Sequence, residues 1–497
     1  MRSGSTKRLA PVRRITGAFR SGPLAVRDFR LLSFGQLAST IGDFCYAVAL
    51  PWMILSSHGG TVLLGTVLAC YGVPRTVLIP IGGVLADRIS PRLVMLAADT
   101  VRCVLVAVLA VFAARGLVSL AFLGPVAALI GAGEGLFLPA SAAIMPSLLP
   151  ADSLQAGNGL SAAMIQIGSF TGPVLGGLLV TSTRSSAAAF GVDAASFALS
   201  ALALALMRRH PAAAVVSHEG EGGPALPGES GSAAAFGVDA ASFGLSALAL
   251  ALMRRHPAAA VVPHEGEGAP ALPGESGSAA ATEDAAREET SIMRLFLHTR
   301  VLQVIVVIAV IANFVIAGAF EIALPALSHA RYGATGYGAL IACFGVGSLI
   351  GTLAAARFSG LRRPAIAACA GYVAGGLALT LLPFLGGLPG AAAAVAVFGG
   401  MGMFGNVIII TLLQQWAPAR LLGRVMSLIM LASIGTFPAS AALSGVIVGH
   451  IGPAPFFPAA GAVLAFAVLL AATQRQFRQF GMTSEQTADQ AAVTAAR

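Results

Sequence analysis

Charge is what this chain has least of. Only 10% of its 497 residues are Asp, Glu, Lys or Arg and 57% are hydrophobic, whereas a soluble globular domain carries about a quarter charged residues. A water-soluble fold is therefore excluded. Lys7 is the sole lysine and follows Thr6, so no Gly-Lys-Ser/Thr phosphate loop occurs and ATP hydrolysis by this chain is excluded. The five cysteines, Cys45, Cys70, Cys103, Cys343 and Cys369, are odd in number, far apart and inside apolar runs, which argues against a disulfide framework. The eight histidines are scattered without an HExxH pattern, and no nucleophile and base share one depth, so no enzyme, metal or cofactor is expected. A formal charge of +9 resides in loops beside apolar runs, where it faces anionic lipid heads rather than nucleic acid.

What is present is a series of apolar runs long enough to cross a bilayer, each needing about 20 residues. Spans are expected near 31–56, 62–86, 93–114, 117–145, 154–181, 187–207, 301–328, 336–356, 364–386, 390–416, 424–449 and 454–473. The fold class is all-α, with twelve transmembrane helices in two six-helix bundles, residues 31–207 and 301–475. A basic segment (1–30), a central linker (208–300) and a tail (476–497) complete the chain. No cleavable signal is expected, because the first apolar run is of full span length and serves as the anchor. With the N-terminus placed in the cytoplasm, only Arg115, Arg184 and Arg331 fall outside and Arg75 and Arg102 fall within the membrane; the other 25 of 30 basic residues are cytoplasmic. The positive-inside rule thus sets a multi-pass cell-membrane protein, read as a monomer, with both termini cytoplasmic.

The linker holds a tandem copy: residues 187–232 and 233–278 differ only at Ala198/Gly244, Ser217/Pro263 and Gly223/Ala269. Were both apolar runs to cross, everything after would invert and Arg357, Arg363 and Arg424 would lie outside, against the charge rule. The first copy is expected to span and the second to lie at the cytoplasmic interface, with a thirteenth span or re-entrant piece as the alternative.

Chemistry must come from the few ionisable groups inside the membrane, since an intramembrane acid can gain and lose a proton. Counting about 1.5 Å per residue, Asp43, Arg75 and Glu134 all lie about 18 Å from the cytoplasmic edge. They are expected to face one another or a watery cavity, with Asp43 and Glu134 as proton or cation carriers and Arg75 as counter-charge; a permanent structural ion pair is the alternative. Asp99 and Arg102, three residues apart, can pair on their own helix. Asp193 and Glu321 lie nearer the outer ends, where a structural or cavity-lining role is expected. Asn313, Asn406, Thr411 and Gln414 are candidates for a substrate path, or for interhelical hydrogen bonds. In GSFTGPVLGG, Gly168, Gly172 and Gly176 recur every fourth residue beside Pro173 and Gly177, a smooth face suited to a rocking helix contact.

Between spans two and three runs GGVLADRISPR, with Gly83, Leu85, Asp87, Arg88 and Arg92. Together with the Gly168–Gly177 stretch, it resembles the loop and fifth-span signatures of the major facilitator superfamily. Ser90 stands where that loop has glycine and Pro91 where it has a basic residue. FGQLASTIGDFCYAVALPW, FGVDAASF and LLGRVMSL are similar to the branch holding macrolide efflux proteins and the enterobactin exporter. The arginine that many drug antiporters carry in span four is missing here. The resemblance implies two halves rocking about a central cavity, and a contact from Asp87 to Arg424 closing the cytoplasmic side. The corresponding second-half loop has Ala355 where Asp87 would align. The implied function is proton-antiport export of small amphipathic molecules, drug-like or siderophore-like, across the lipid bilayer. Uptake of a polar solute and a non-transporting receptor are the alternatives.

Overall fold

A computed structural model describes residues 22–208, 299–357, 363–417, 419–478 and 480. Among them are twelve helices long and apolar enough to cross a membrane. The first six are α1 (Arg27–Ser56), α2 (Gly60–Arg88), α3 (Pro91–Arg115), α4 (Leu120–Leu148), α5 (Ala151–Thr183) and α6 (Ala187–Leu206). The second six are α7 (Arg300–Arg331), α8 (Gly333–Arg357), α9 (Pro364–Leu381), α10 (Gly387–Trp416), α11 (Leu421–Ile451) and α12 (Pro453–Thr473). A single turn, α13 (Arg475–Arg478), follows. The first copy of the duplicated segment supplies α6; the second lies outside the described residues.

Boundaries follow local chemistry. Proline opens α3, α9 and α12 at Pro91, Pro364 and Pro453, where a missing N–H costs nothing. Span four was expected from residue 117, yet Gly116 adopts a left-handed conformation and the chain restarts only after Ser119. Span nine was expected to run to 386 and stops at Leu381, ahead of Pro383 and the positive-φ Gly387.

The two bundles repeat one packing scheme. In the first, α2 lies against α4 and α3 against α6; in the second, α8 lies against α10 and α9 against α12. Across the bundles, α5 packs on α8 and α2 on α11. We call the membrane face at which α1 begins and α12 ends the terminal face, and the other the distal face. Inter-bundle contacts run from mid-span to the distal face. Gln166 donates to the Gly345 carbonyl at 3.3 Å, Thr61 to the Gly445 carbonyl at 2.9 Å, and the Thr181 and Thr335 hydroxyls are 2.8 Å apart. The Trp52 and His329 rings sit 4.9 Å apart at the same end. Glycine makes this closeness possible: a Cβ at Gly338 would run into the Pro173 carbonyl, and one at Gly65 into that of Ala441.

The fifth-span glycines divide between two partners. Gly168, Gly172 and Gly176 abut Thr40, Phe44 and Cys45 of α1, inside the same bundle, whereas Ser169, Phe170, Pro173 and Gly177 meet α8. The expected rocking face is therefore one step around the helix. Successive residues are rotated by about 100°, so 173 and 177 form the stripe next to 172 and 176.

Because Gly338 sits against the Pro173 backbone, Gly338→Val is expected to hold the distal ends apart. Thr181→Cys/Thr335→Cys should form a disulfide readily in membranes and fail to do so when Gly338→Val is added. Equal cross-linking in both backgrounds would show that distal closure does not depend on this contact.

Candidate functional site

The intramembrane charges form two connected groups in the first bundle. Arg75 of α2 and Glu134 of α4 pair at 3.2 Å, and the Tyr71 hydroxyl also donates to Glu134. Asp43 of α1 is paired instead with Arg102 of α3, at 2.8 Å. Arg102 reaches Asp99 as well, at 3.7 Å, and its guanidinium lies over the Phe197 ring at 4.1 Å. The expected trio of Asp43, Arg75 and Glu134 is thus resolved into two pairs, with Arg102 as the second cation.

Glycines position these groups. In α4 the sequence Gly133-Glu134-Gly135 sets Glu134 between two residues without side chains. A Cβ at Gly135 would meet the Arg75 carbonyl at 2.5 Å, and one at Gly133 the Arg102 side chain at 3.0 Å. Glu134 is carried between both cations for this reason. In α1, a Cβ at Gly42 would lie 2.5 Å from an Asp193 carboxylate oxygen, so Asp193 of α6 occupies the space that glycine leaves. Asp193 is 1% exposed and Asp99 is fully buried, accepting a hydrogen bond from Ser200 at 2.6 Å. The side chain of Asp43 is 43% exposed, against 5% for Arg102. Asp43 is the most accessible member of this group.

A charge at the bilayer centre costs about 2.5–3.5 kcal/mol on insertion scales, and each carboxylate beside a guanidinium lowers that cost. Arg102 was legible only as an intrahelical partner of Asp99. The missed signal is the pair Gly42 and Gly133: the space left at Gly133 takes the Arg102 stem, and that at Gly42 takes Ser196 and Asp193.

Glu321 of the second bundle lies in a π turn, Gly318–Ala323, within α7. Such turns are frequent at functional positions. Ser440 of α11 donates to the Phe314 carbonyl at 2.6 Å just before the turn, and Gly318 abuts Ser444. α2 touches the turn, and the Glu321 carboxylate interacts electrostatically with Arg75 across the bundle boundary.

A cavity of about 250 Å³ lies among α7 to α12, lined mainly by apolar and aromatic side chains such as Phe344, Tyr372, Phe398 and Phe477. Asn313 and Asn406 line it, whereas Thr411 and Gln414 do not. From Asn406 onward the α10 residues facing it are Asn406, Ile409, Ile410 and Leu413, and Thr411 and Gln414 are rotated to the adjoining face. Thr411 spends its hydroxyl on the Val407 carbonyl at 2.8 Å. Asn313 is held by a 3.1 Å hydrogen bond to Ser433.

The expected loop is reduced to Ile89 and Ser90: Gly82 to Arg88 belong to the last turns of α2 and Arg92 to the first turn of α3, Gly82 lets α2 approach Leu136 and Pro139 of α4, and Gly83 is buried beside it. Asp87 and Arg88 are exposed. Arg92 caps α6, donating to the Leu204 and Ala205 carbonyls at 2.7 and 2.9 Å, which satisfies groups that a helix C-terminus leaves unpaired. The Arg424 side chain lies outside the described residues.

Glu134→Gln should destabilise the protein, since it leaves Arg75 without its carboxylate. The pair is partly wetted, at 24% and 19% exposure, so the loss should be about 2 kcal/mol, below the 3–5 of a dry pair. The charge-free double variant Arg75→Met/Glu134→Gln should recover most of it in thermal unfolding of purified protein. A double variant no more stable than Glu134→Gln alone would mean that ion pairing is not the stabilising interaction.

A model of the Major Facilitator Superfamily matches residues 32–439. The multidrug efflux pump Tap of Mycolicibacterium fortuitum is 29% identical over 191 residues, covering 37% of this chain and 46% of that protein. Tap of Mycobacterium tuberculosis (strain ATCC 25618 / H37Rv) is 27% identical over 190 residues, covering 36% and 43%. The matched region therefore spans somewhat less than half the length of these relatives. Among solved structures, a D-xylose–proton symporter superposes with a TM-score of 0.59 at 14% identity, over 90% of this chain and 95% of that one. A POT family transporter in complex with a thioalcohol-conjugated peptide gives 0.60 at 13%, over 90% and 96%. These likenesses show the fold, and with the family match over most of the sequence they establish that this chain belongs to the Major Facilitator Superfamily.

Proposed function

We propose that the protein is a secondary active exporter of small amphipathic molecules, working by alternating access and driven by proton antiport. The observation that carries this reading is the set of ion pairs inside the first bundle, Arg75 with Glu134 and Arg102 with Asp43 and Asp99, of which Asp43 is the most exposed member. A group that is both wetted and held by a buried cation can exchange a proton with water while its charge stays compensated. Asp43 and Glu134 are the proposed carriers, with Arg75 holding Glu134 and Arg102 holding Asp43.

Export is supported by the efflux pumps among the relatives, and amphipathic cargo by the mostly apolar cavity with Asn313 and Asn406 in its wall. With the terminal face in the cytoplasm, as the basic residues require, contacts limited to mid-span and the distal face correspond to a state closed toward the outside. In the opposite state the exposed Asp87 is proposed to meet Arg424 and close the cytoplasmic side. Each state is favoured only by the difference in affinity that proton and cargo have for the two. The protein sits in the cell membrane and needs no cofactor for this cycle.

The test is accumulation of ethidium by everted membrane vesicles with an acidic lumen. Uptake above that of vesicles lacking the protein, abolished by a protonophore, is expected for the wild type. Asp43→Asn should fall to the protonophore level while reaching the membrane in normal amount. Gradient-driven uptake by Asp43→Asn at the wild-type rate would reject the carrier assignment, and the absence of any gradient-dependent movement would reject export of this cation.

A further inference from the structure

Asp193 has no evident use in the cycle just described, yet it is placed where a coupling acid would be. It projects from α6 into the space left by Gly42, the residue beside Asp43 on α1. The groups that face it are few. From α1 come Asp43, Cys45 and Tyr46; from α3 come Asp99, Arg102 and Cys103; on its own helix Ser196 donates to it at 3.4 Å. Both thiols are committed to carbonyls, Cys45 to Gly172 and Cys103 to Ala194, each at 3.2 Å.

The charges in this group do not balance. Asp43, Asp99 and Asp193 share one guanidinium, that of Arg102, because Arg75 is engaged by Glu134. Arg102 contacts Asp43 and Asp99 directly, and Asp99 has Ser200 in addition. Asp193, 1% exposed, has no cation within ion-pairing distance among the described residues. Bare carboxylates without a cation do not persist in an apolar interior; they take up a proton. The group also holds unused hydrogen-bonding capacity. Arg102 Nε, Asp99 Oδ1 and the Tyr46 hydroxyl are buried and lack a hydrogen-bond partner, although Arg102 and Asp99 are 4% and 0% exposed.

We propose that α1, α3 and α6 enclose a second proton-binding site, in which Asp193 carries the proton in the present state and Arg102 supplies the counter-charge. The proposal rests on proton antiport as the mode of coupling and adds a carrier to it. One proton moves between Asp193, which is buried, and Asp43, which is exposed. In the present state it sits on Asp193 and Asp43 is ionised against Arg102; when it passes from Asp193 to Asp43, Asp193 becomes the ionised member, and the guanidinium turns from Asp43 toward Asp99 and Asp193. Asp43 then releases that proton to the aqueous side, and reloading runs in reverse: Asp43 takes one proton from water, hands it to Asp193 and, ionised again, recovers Arg102. Arg102 is a positioning residue in this exchange and does not itself titrate.

The direct measurement is infrared spectroscopy of the purified full-length protein in lipid at neutral pH. A carbonyl stretch of a protonated carboxylic acid is expected, moved by carbon-13 labelling of aspartate and lost in Asp193→Asn. Absence of an aspartate-labelled band in the wild type, or its survival in Asp193→Asn, would overturn the proposal. Labelling needs no variant and separates Asp193 from the glutamates Glu134 and Glu321. Arg102→Lys is expected to keep part of the gradient-driven ethidium uptake, and Arg102→Met to lose it; uptake by Arg102→Met at the wild-type rate would overturn the counter-charge role. Wild-type uptake by Asp43→Asn with the labelled band intact would count against antiport through Asp43 and in favour of Asp193 as the proton site.

Discussion

A guanidinium held at mid-membrane obliges everything around it to adapt. Arg102 is 4% exposed, and lipid offers it neither solvent nor counter-ion. Helices α1 and α3 supply the carboxylates of Asp43 and Asp99, and α6 the Phe197 ring and the Ser200 hydroxyl that steadies Asp99. α4 contributes the vacancy at Gly133 into which its stem fits. Four of the six helices in the first bundle are thus tied to one side chain. Breaking one partner leaves the rest as uncompensated buried charge, which is far more costly than losing a surface pair.

The same economy of space governs how the bundles meet. Carbonyls of one helix rest where a side chain would otherwise be on the next, at Gly65, Gly177 and Gly338. Such contacts require little of their sequence beyond smallness. Larger side chains insert beside them, Phe170 against Gly345 and Phe437 against Gly72. Around them, single hydroxyl hydrogen bonds from Thr61, Thr181 and Thr335 hold the distal ends together. An interface of this kind is suited to two positions, and only the distal-closed one is seen.

Much of this was legible in the sequence. The twelve spans and the place of the first duplicate in the sixth helix follow from hydropathy and from the charge rule, because apolar length and arginine placement are summed over many residues. Asp43, Arg75 and Glu134 stood out because a charge inside an apolar run is rare and costly. Pairing did not follow, since depth along a helix is readable while rotation about its axis is not. Arg102 was matched to Asp99 three residues away, although its strongest contact lies 59 positions off at Asp43. The fifth-span glycines failed for the same reason: both their stripe and the neighbouring Pro173/Gly177 stripe fit a period near four, and only tertiary contact tells which faces the other bundle. Asn406 and Gln414 were equally plausible on one helix until its orientation placed one at the cavity and the other beside it.

The two bundles carry unequal chemistry on a common plan. Asp43, Arg75, Asp99, Arg102, Glu134 and Asp193 belong to the first, and Glu321 is their intramembrane counterpart in the second, where the cavity walls are mainly apolar and aromatic. If protons are handled in one bundle and cargo rests in the other, neither site can sense the other through a shared ligand atom. Coupling has to pass through the boundary between them. At that boundary, among the described residues, Glu321 in the π turn of α7 lies within electrostatic range of Arg75 on α2. Arg75 is also bound to Glu134, and its Nε is buried without a partner. If the bundles move against each other, a cation paired with an acid of one and within range of an acid of the other responds to the shift and to protonation of either acid. Its position makes the charge state of the first bundle felt at the point where α7 departs from α-helical geometry, next to the helix that walls the cavity.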